Sequence, residues 1–501
     1  MAPRWTAARG RLAARPRYPQ IVLGAALFGL FTTNWNVSVL AVVIPRLATE
    51  FAAPKTTVTW VVVAPLLAFA VLGPTAGKLG DLYGRRKVYL TSLAGVVVFA
   101  VFSASAQSIG QLIAFRTLAM VFGASTGPAG MAIITALFPR ERRVQALGYW
   151  GLVLAGGPVL GMVVGGPIVD AIGWRWLFIP QVPLALLGLV AAAFVLPETA
   201  RATSVRFDVV GSAALAVAVG SLLVAVNRGP EWGWSAPAVV GLFVLSPLAA
   251  IVFAVVERRT DHPLIPFAYF RRRNFAVPML AQFFVNFAYQ GGFVLVPLML
   301  GEVFDYSSTR TSAVTVSRPL FYGLAGPLAG WLAVRIGERS MAVGGSALVA
   351  VSCVMLANVH GAGAEPLVFA ALAIAGMGLG TMVPSMMATT TRAVADSDLG
   401  VTAATSQMMM MIGTVLGMQV GQTVQVAREP VSGLLGSYDE AFLLGAFVAV
   451  VGVVLAWFVR SSDRSGPAGV PAGGQSIATA SISSRKSGEA RPDTTTKVDA
   501  G

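Results

Sequence analysis

Few charged residues of this chain sit where they could do chemistry. The stretch Gly77-Lys-Leu-Gly-Asp-Leu-Tyr-Gly-Arg-Arg-Lys87 sets one carboxylate, Asp81, among cations between two long apolar runs. Gly77 and Gly84 let two helices approach closely. Asp81 can sit against a helix N-terminus or pair with Arg85 or Arg86. Arg116 and Arg318 lie inside apolar runs, where a cation is costly in lipid and therefore a functional candidate by default. Glu302 and Asp305 stand at the end of another apolar run. With Asp81, they are the carboxylates available to carry a proton. Polar residues also recur at helical spacing as Gln282, Asn286, Tyr289 and Gln290, and cluster as Asn34, Trp35 and Asn36. In lipid such groups turn inward, to line a cavity or to join helices.

Other chemistries are absent from the pattern. There is no nucleophile–base pair, no metal-ligand set and no glycine-rich phosphate loop, so an enzyme or an ATP-driven machine is disfavoured and no cofactor is expected. The lone cysteine, Cys353, excludes an internal disulfide or a cysteine metal site, and two histidines argue against zinc or haem.

The elements that must position these residues are membrane helices. Of 501 residues, 56 % are hydrophobic and 12 % charged, against about 25 % charged in soluble domains. Apolar segments of bilayer-crossing length are expected at 20–43, 57–77, 88–106, 111–137, 146–169, 175–196, 208–226, 235–256, 276–300, 311–333, 341–358, 366–388, 400–425 and 439–459. That is about fourteen, an all-α integral membrane protein with both termini on one side. The net charge of +14 follows topology. With the N-terminus inside, about 28 of the cations fall on the cytoplasmic side and about 6 outside. Nucleic acid is therefore a poor partner, and anionic lipid a good one. The basic N-tail, 1–19, leads into an apolar run too long for a cleaved signal peptide. The tail 460–501, rich in Gly, Ser, Thr and Ala, should be disordered.

An internal repeat divides the chain. Gly157-Pro-Val-Leu-Gly-Met-Val-Val-Gly165 returns as Gly413-Thr-Val-Leu-Gly-Met-Gln-Val-Gly421, and Gly73-Pro74, Gly77, Leu79, Gly84 and Arg86 return as Gly326-Pro327, Gly330, Leu332, Gly337 and Arg339. The offset is about 255 residues, whereas six spans with short loops occupy about 180. Six-helix bundles at 20–196 and 275–459, with two inserted linker helices at 207–256, account for the difference.

These residues resemble the major facilitator superfamily, in its fourteen-span drug/proton antiporter branch. Gly77–Lys87 resembles the signature loop between spans two and three, a latch for the outward-open state in that family. Trp174-Arg-Trp-Leu-Phe-Ile-Pro-Gln-Val-Pro183 resembles the entry to span six. Phe207-Asp-Val-Val-Gly211, Gly229-Pro-Glu-Trp-Gly-Trp234, His262-Pro-Leu-Ile-Pro-Phe267 and Phe270-Arg-Arg-Arg-Asn-Phe275 resemble further segments of the branch. Gly157, Pro158, Gly161 and Gly165 resemble its Gly-Pro-x-x-Gly-Gly antiporter motif, with Met162 in place of the last glycine. The resemblance implies a monomeric bacterial inner-membrane exporter of amphiphilic compounds, exchanging them for protons by alternating access, with Arg116 linked to proton transfer. One departure stands out. Where the branch has an Asp-x-Thr arrangement in span one, this chain has Asn36, Val37 and Ser38. Asn36 can neither take up a proton nor neutralise a cation. Because no carboxylate is expected deep in any span, a cavity holding Arg318 favours anionic or neutral amphiphiles. Gln407-Met-Met-Met-Met411 offers an adaptable apolar surface. A uniporter, an importer, or a sensor that kept the fold is also compatible with these residues.

Overall fold

Residues 15–35, 38–138, 140–198, 209–260, 267–361, 363–394 and 399–460 are described in a computed structural model. In an apolar solvent the backbone must satisfy its own hydrogen bonds, and these residues are helical almost throughout, with no strand among them. Ten of the described helices are long and apolar enough to cross a membrane. Large apolar side chains such as Leu248, Ile251 and Phe447 face outward, as lipid contact requires.

The first half begins with α1 (Tyr18–Asn34) and α2 (Val39–Glu50), followed by α3 (Lys55–Tyr83) and α4 (Arg85–Ala104). Next come α5 (Ile109–Gly123), α6 (Thr126–Leu137), α7 (Arg140–Ile172), a 3-10 turn at Trp174–Leu177, and α8 (Gln181–Val195). Two central helices, α9 (Val209–Trp232) and α10 (Pro237–Arg259), are tied by Ser246 Oγ donating to the Ala218 carbonyl at 2.8 Å. The second half runs through α11 (Arg273–Glu302), α12 (Ser308–Thr315), α13 (Ser317–Ile336), α14 (Glu338–Leu356), α15 (Glu365–Arg392) and α16 (Leu399–Trp457). The last is not one rod. Gly433, at φ +75° and three residues after Pro430, turns the chain between two membrane-length arms. Pairing α1 with α2, α5 with α6, and α12 with α13 as single crossings is consistent with fourteen spans.

One expectation is corrected. Gly77–Lys87, expected as a short loop between spans, is mostly helical: α3 continues to Tyr83, and Gly84 alone breaks the helix before α4 starts at Arg85. Its φ of +94° is open to glycine at little cost, which is how so tight a turn forms.

The packing differs between the two ends of the bundle. At the end bearing Glu302, one buried apolar cluster draws on both halves: Val43, Leu47 and Val58 from the first, Leu298, Leu300 and Phe442 from the second. Toward the Gly84 end the clusters of described residues stay within one half. Val22, Tyr89, Leu93 and Ile133 form one, and Ala281, Val285, Met382 and Met386 belong to another. Among the described residues, the halves are therefore joined by apolar packing at one end only.

Candidate functional site

Polar contacts reinforce the joined end. Lys55, on the first turn of α3, puts Nζ 2.5 Å from Glu302 Oε2 at the end of α11. Tyr438, fully buried, donates its hydroxyl to the same oxygen at 2.8 Å. Asp170, near the end of α7, caps α12 from the other half: it accepts from Ser308 N at 3.1 Å, Thr309 N at 2.7 Å and Thr309 Oγ1 at 2.6 Å. A carboxylate at a helix N-terminus also meets the positive end of the helix dipole. Within the first half, Glu50 accepts from Trp174 Nε1 at 2.9 Å and Arg175 Nη1 at 2.7 Å. Asp305, read with Glu302 as a proton carrier, is exposed in the turn after α11, at φ +53°.

At the other end, Arg86 has a carboxylate partner that the sequence did not indicate. Buried Arg86 pairs with Glu198 and donates to the Ala193 carbonyl at 2.8 Å, fastening α4 to the end of α8. Arg85 donates to the Ala132 carbonyl at 3.2 Å. The surroundings of Gly77 and the side chain of Asp81 are outside the described residues, as is Asn36.

Two cations are buried within spans, as the sequence suggests. Arg116 is 6 % exposed, with its guanidinium 5.4 Å from the Phe178 ring centre. Arg318 is 5 % exposed. Its Nη2 donates to the Tyr289 carbonyl at 2.9 Å and to Gln290 Oε1, and its Cζ lies 3.7 Å from the Tyr289 ring centre and 5.1 Å from that of Phe293. Asp305 is not its counter-ion, and none of the described ion pairs includes it. The sequence reading also missed a buried carboxylate: Glu257, two residues before the end of α10, is 2 % exposed.

The expected cavity stripe divides. Gln282 is fully buried, with Oε1 accepting from Ser406 Oγ at 2.8 Å, and Asn286 donates to its own helix at the Gln282 carbonyl. Both serve helix packing here, while Gln290 stays partly accessible beside Arg318. Asn34 donates to the Leu30 carbonyl at 2.9 Å, and Trp35 is buried. Met408 packs with Ala214, Leu215 and Phe253 of the central helices, so part of the methionine run is packing surface.

The glycine face of α7 also divides by position. An added Cβ at Gly157 would meet Phe31, Asn34 and Trp35 at 3.7–3.8 Å, which is ordinary contact. At Gly165 it would come within 2.6 Å of Val39, and at Gly166 within 2.8 Å of the Ser308 carbonyl. Gly161 and Met162 are buried and Pro158 partly so. The tight crossings are thus toward the joined end, where α7 meets α2 and α12. The contacts of Lys55, Asp170 and Tyr438 were missed because single polar or charged residues at span ends carry no periodic signal.

A family model, Major Facilitator Superfamily, matches residues 26–317 and 278–490. Over 463 residues the chain is 28 % identical to the puromycin resistance protein pur8 of Streptomyces alboniger, covering 86 % of this chain and 90 % of that one. It is 26 % identical to the multidrug transporter protein MdtP of Bacillus subtilis (strain 168), with 81 % and 75 % covered. To the tetracenomycin C resistance and export protein of Streptomyces glaucescens it is 28 % identical, with 82 % and 76 % covered. With its bundle of membrane-length helices, the chain is a multi-pass membrane protein and belongs to the Major Facilitator Superfamily.

Proposed function

We propose that this chain exports amphiphilic, drug-like small molecules by alternating access, in exchange for protons, and that it belongs to the fourteen-span drug/proton branch. The names of its relatives, which speak of multidrug transport, antibiotic resistance and export, support the substrate class. The observation that carries the mechanism is the asymmetry of packing: both halves share one buried cluster at the Glu302 end, and each keeps its own toward the Gly84 end. Two halves joined at one end form a rocker, as a carrier with a central site requires. Cations such as Arg85, Arg86, Lys87, Arg258 and Arg259 crowd the Gly84 end. The positive-inside rule then puts that end and both termini in the cytoplasm of a bacterial inner membrane, and makes this arrangement the outward-closed one.

Of the residues read as a proton relay, Glu302 fits a latch better than a carrier. A carrier must face each side in turn, whereas Glu302 sits at one end between Lys55 and Tyr438. Its protonation would weaken the attraction to Lys55 and release that end. Arg116 and Asp81 retain their relay roles in the proposal.

Reconstitution in liposomes with an imposed pH gradient tests the reading. Uptake of an amphiphilic dye that collapses with the gradient is the expected result. Equilibration indifferent to the gradient would replace exchange by uniport. Absence of flux with every dye, from folded protein, would favour a non-transporting role.

A further inference from the structure

Arg318 is the buried group least explained by packing. It lies ten residues past Ser308, about 15 Å of helical rise, inside the expected span 311–333 and well within a hydrocarbon core of about 30 Å. Its surroundings stabilise a cation without neutralising it: two ring faces, Tyr289 and Phe293, and two oxygen acceptors, the Tyr289 carbonyl and Gln290 Oε1. Both acceptors use Nη2. The other terminal nitrogen, Nη1, is closed off from solvent and meets no hydrogen-bond acceptor among the described residues. A buried guanidinium with an unused donor and no carboxylate partner is costly unless something supplies the missing charge. Gln290, the side chain bonded to it, is only partly buried, so displacing that one oxygen exposes the cation.

We infer that Arg318 and Gln290 form an anion subsite that receives the carboxylate or other acidic group of an amphiphilic cargo. The planar guanidinium presents parallel donors to a carboxylate, and the Tyr289 and Phe293 rings give the adjoining apolar body a surface to lie on. The inference rests on the export reading above and specifies its substrate. Anionic lipid headgroups share the chemistry, but a lipid carries its charge at the interface, whereas Arg318 lies about half a leaflet deeper.

Binding to purified protein tests it, with three dansyl-labelled alkyl probes of one length ending in carboxylate, carboxamide or trimethylammonium. Wild type should prefer the carboxylate over the carboxamide by about tenfold or more, the range of a charge-assisted hydrogen bond. Arg318→Lys should keep part of that preference and Arg318→Gln should abolish it. Gln290→Glu guards against misfolding, because it pairs the guanidinium internally. It should raise the melting temperature and erase the carboxylate preference while still binding the carboxamide. An unchanged charge preference in Gln290→Glu would overturn the subsite. So would displacement of the carboxylate probe by phosphatidylglycerol, which would assign the cation to lipid. Failure to bind any probe would remove the export reading, and the subsite with it. Transport of all three at equal rates would leave export standing and refute the subsite alone.

Discussion

Lys55 and Glu302 stand 247 positions apart in sequence, yet they meet with Nζ 2.5 Å from Oε2, joining the first half to the second. The Lys55 side chain is 35 % exposed and that of Glu302 12 %, so the pair is partly shielded from water. A double-mutant cycle of Lys55→Met and Glu302→Gln, read by thermal unfolding, should give a coupling of about 1–2 kcal/mol, above the usual surface pair and below a fully buried one. Tyr438→Phe should cost about 1 kcal/mol for the lost hydroxyl bond to Glu302. A coupling indistinguishable from zero would mean that the apolar cluster alone closes this end.

Asp170 works differently, by satisfying backbone donors. The Ser308 and Thr309 amides have no earlier turn of helix to bond to, and Asp170 serves both from α7. Asp170→Ala should cost about 1–2 kcal/mol, the range of a lost helix cap. The same change should loosen the joined end. Thr311, 2 % exposed in α12, gives the readout. With Cys353 replaced by Ala, Thr311→Cys should resist a membrane-impermeant maleimide and become reactive once Asp170→Ala is added. Equal labelling with and without Asp170 would show that the cap does not hold this end.

The glycines of α7 should not tolerate alanine equally, although they look alike in sequence. Gly157→Ala places its methyl at ordinary contact distance and should leave expression and transport near wild type. Gly166→Ala drives a methyl against the Ser308 carbonyl and the Ser312 side chain, neither of which can withdraw without moving α12. Transport by Gly166→Ala should fall at least tenfold, with raised Thr311→Cys labelling as α12 shifts. A harmless Gly166→Ala would show that α7 and α12 can separate at no cost to turnover.

How legible these features were in sequence depends on the range of the forces behind them. Apolar runs of bilayer length announced the helices because lipid leaves the backbone no other way to satisfy its hydrogen bonds. Arg116 and Arg318 stood out because a charge inside such a run is rare on energetic grounds. The Gly77–Lys87 segment was misread as a loop, since its glycines and charges resemble punctuation. Helix α3 instead carries its polar residues past the apolar run and turns on Gly84 alone. Partners remained out of reach. Nothing local to Arg86 points to Glu198, 112 positions away, and nothing near Gln282 distinguishes a bond to Ser406 from an open cavity. Such pairings are decided by which helices pack together, and a single sequence does not display that.

An anionic cargo has a consequence for energetics that a neutral one lacks. Moving one negative charge outward across an inside-negative membrane is downhill by about 2.3 kcal/mol per 100 mV, enough for roughly a fiftyfold gradient. With Asn36 where the branch has its aspartate, such a drive would lighten the demand on proton exchange. In proteoliposomes clamped by potassium and valinomycin, flux of the carboxylate probe toward the positive side should rise with the imposed potential at constant pH. The carboxamide probe, exchanged for a proton, should respond in the same sense but about half as steeply, because only the proton entering the negative side then moves charge, whereas the carboxylate leaving against a proton moves two charges. To make that distinction sharp, both probes are followed in vesicles loaded on the same side and at equal pH. If both probes respond identically to potential, the charge on the cargo is not carried through the protein, and recognition by Arg318 has no part in the drive. Arg318→Gln supplies the control: it should lose most of the carboxylate flux at every potential while keeping that of the carboxamide.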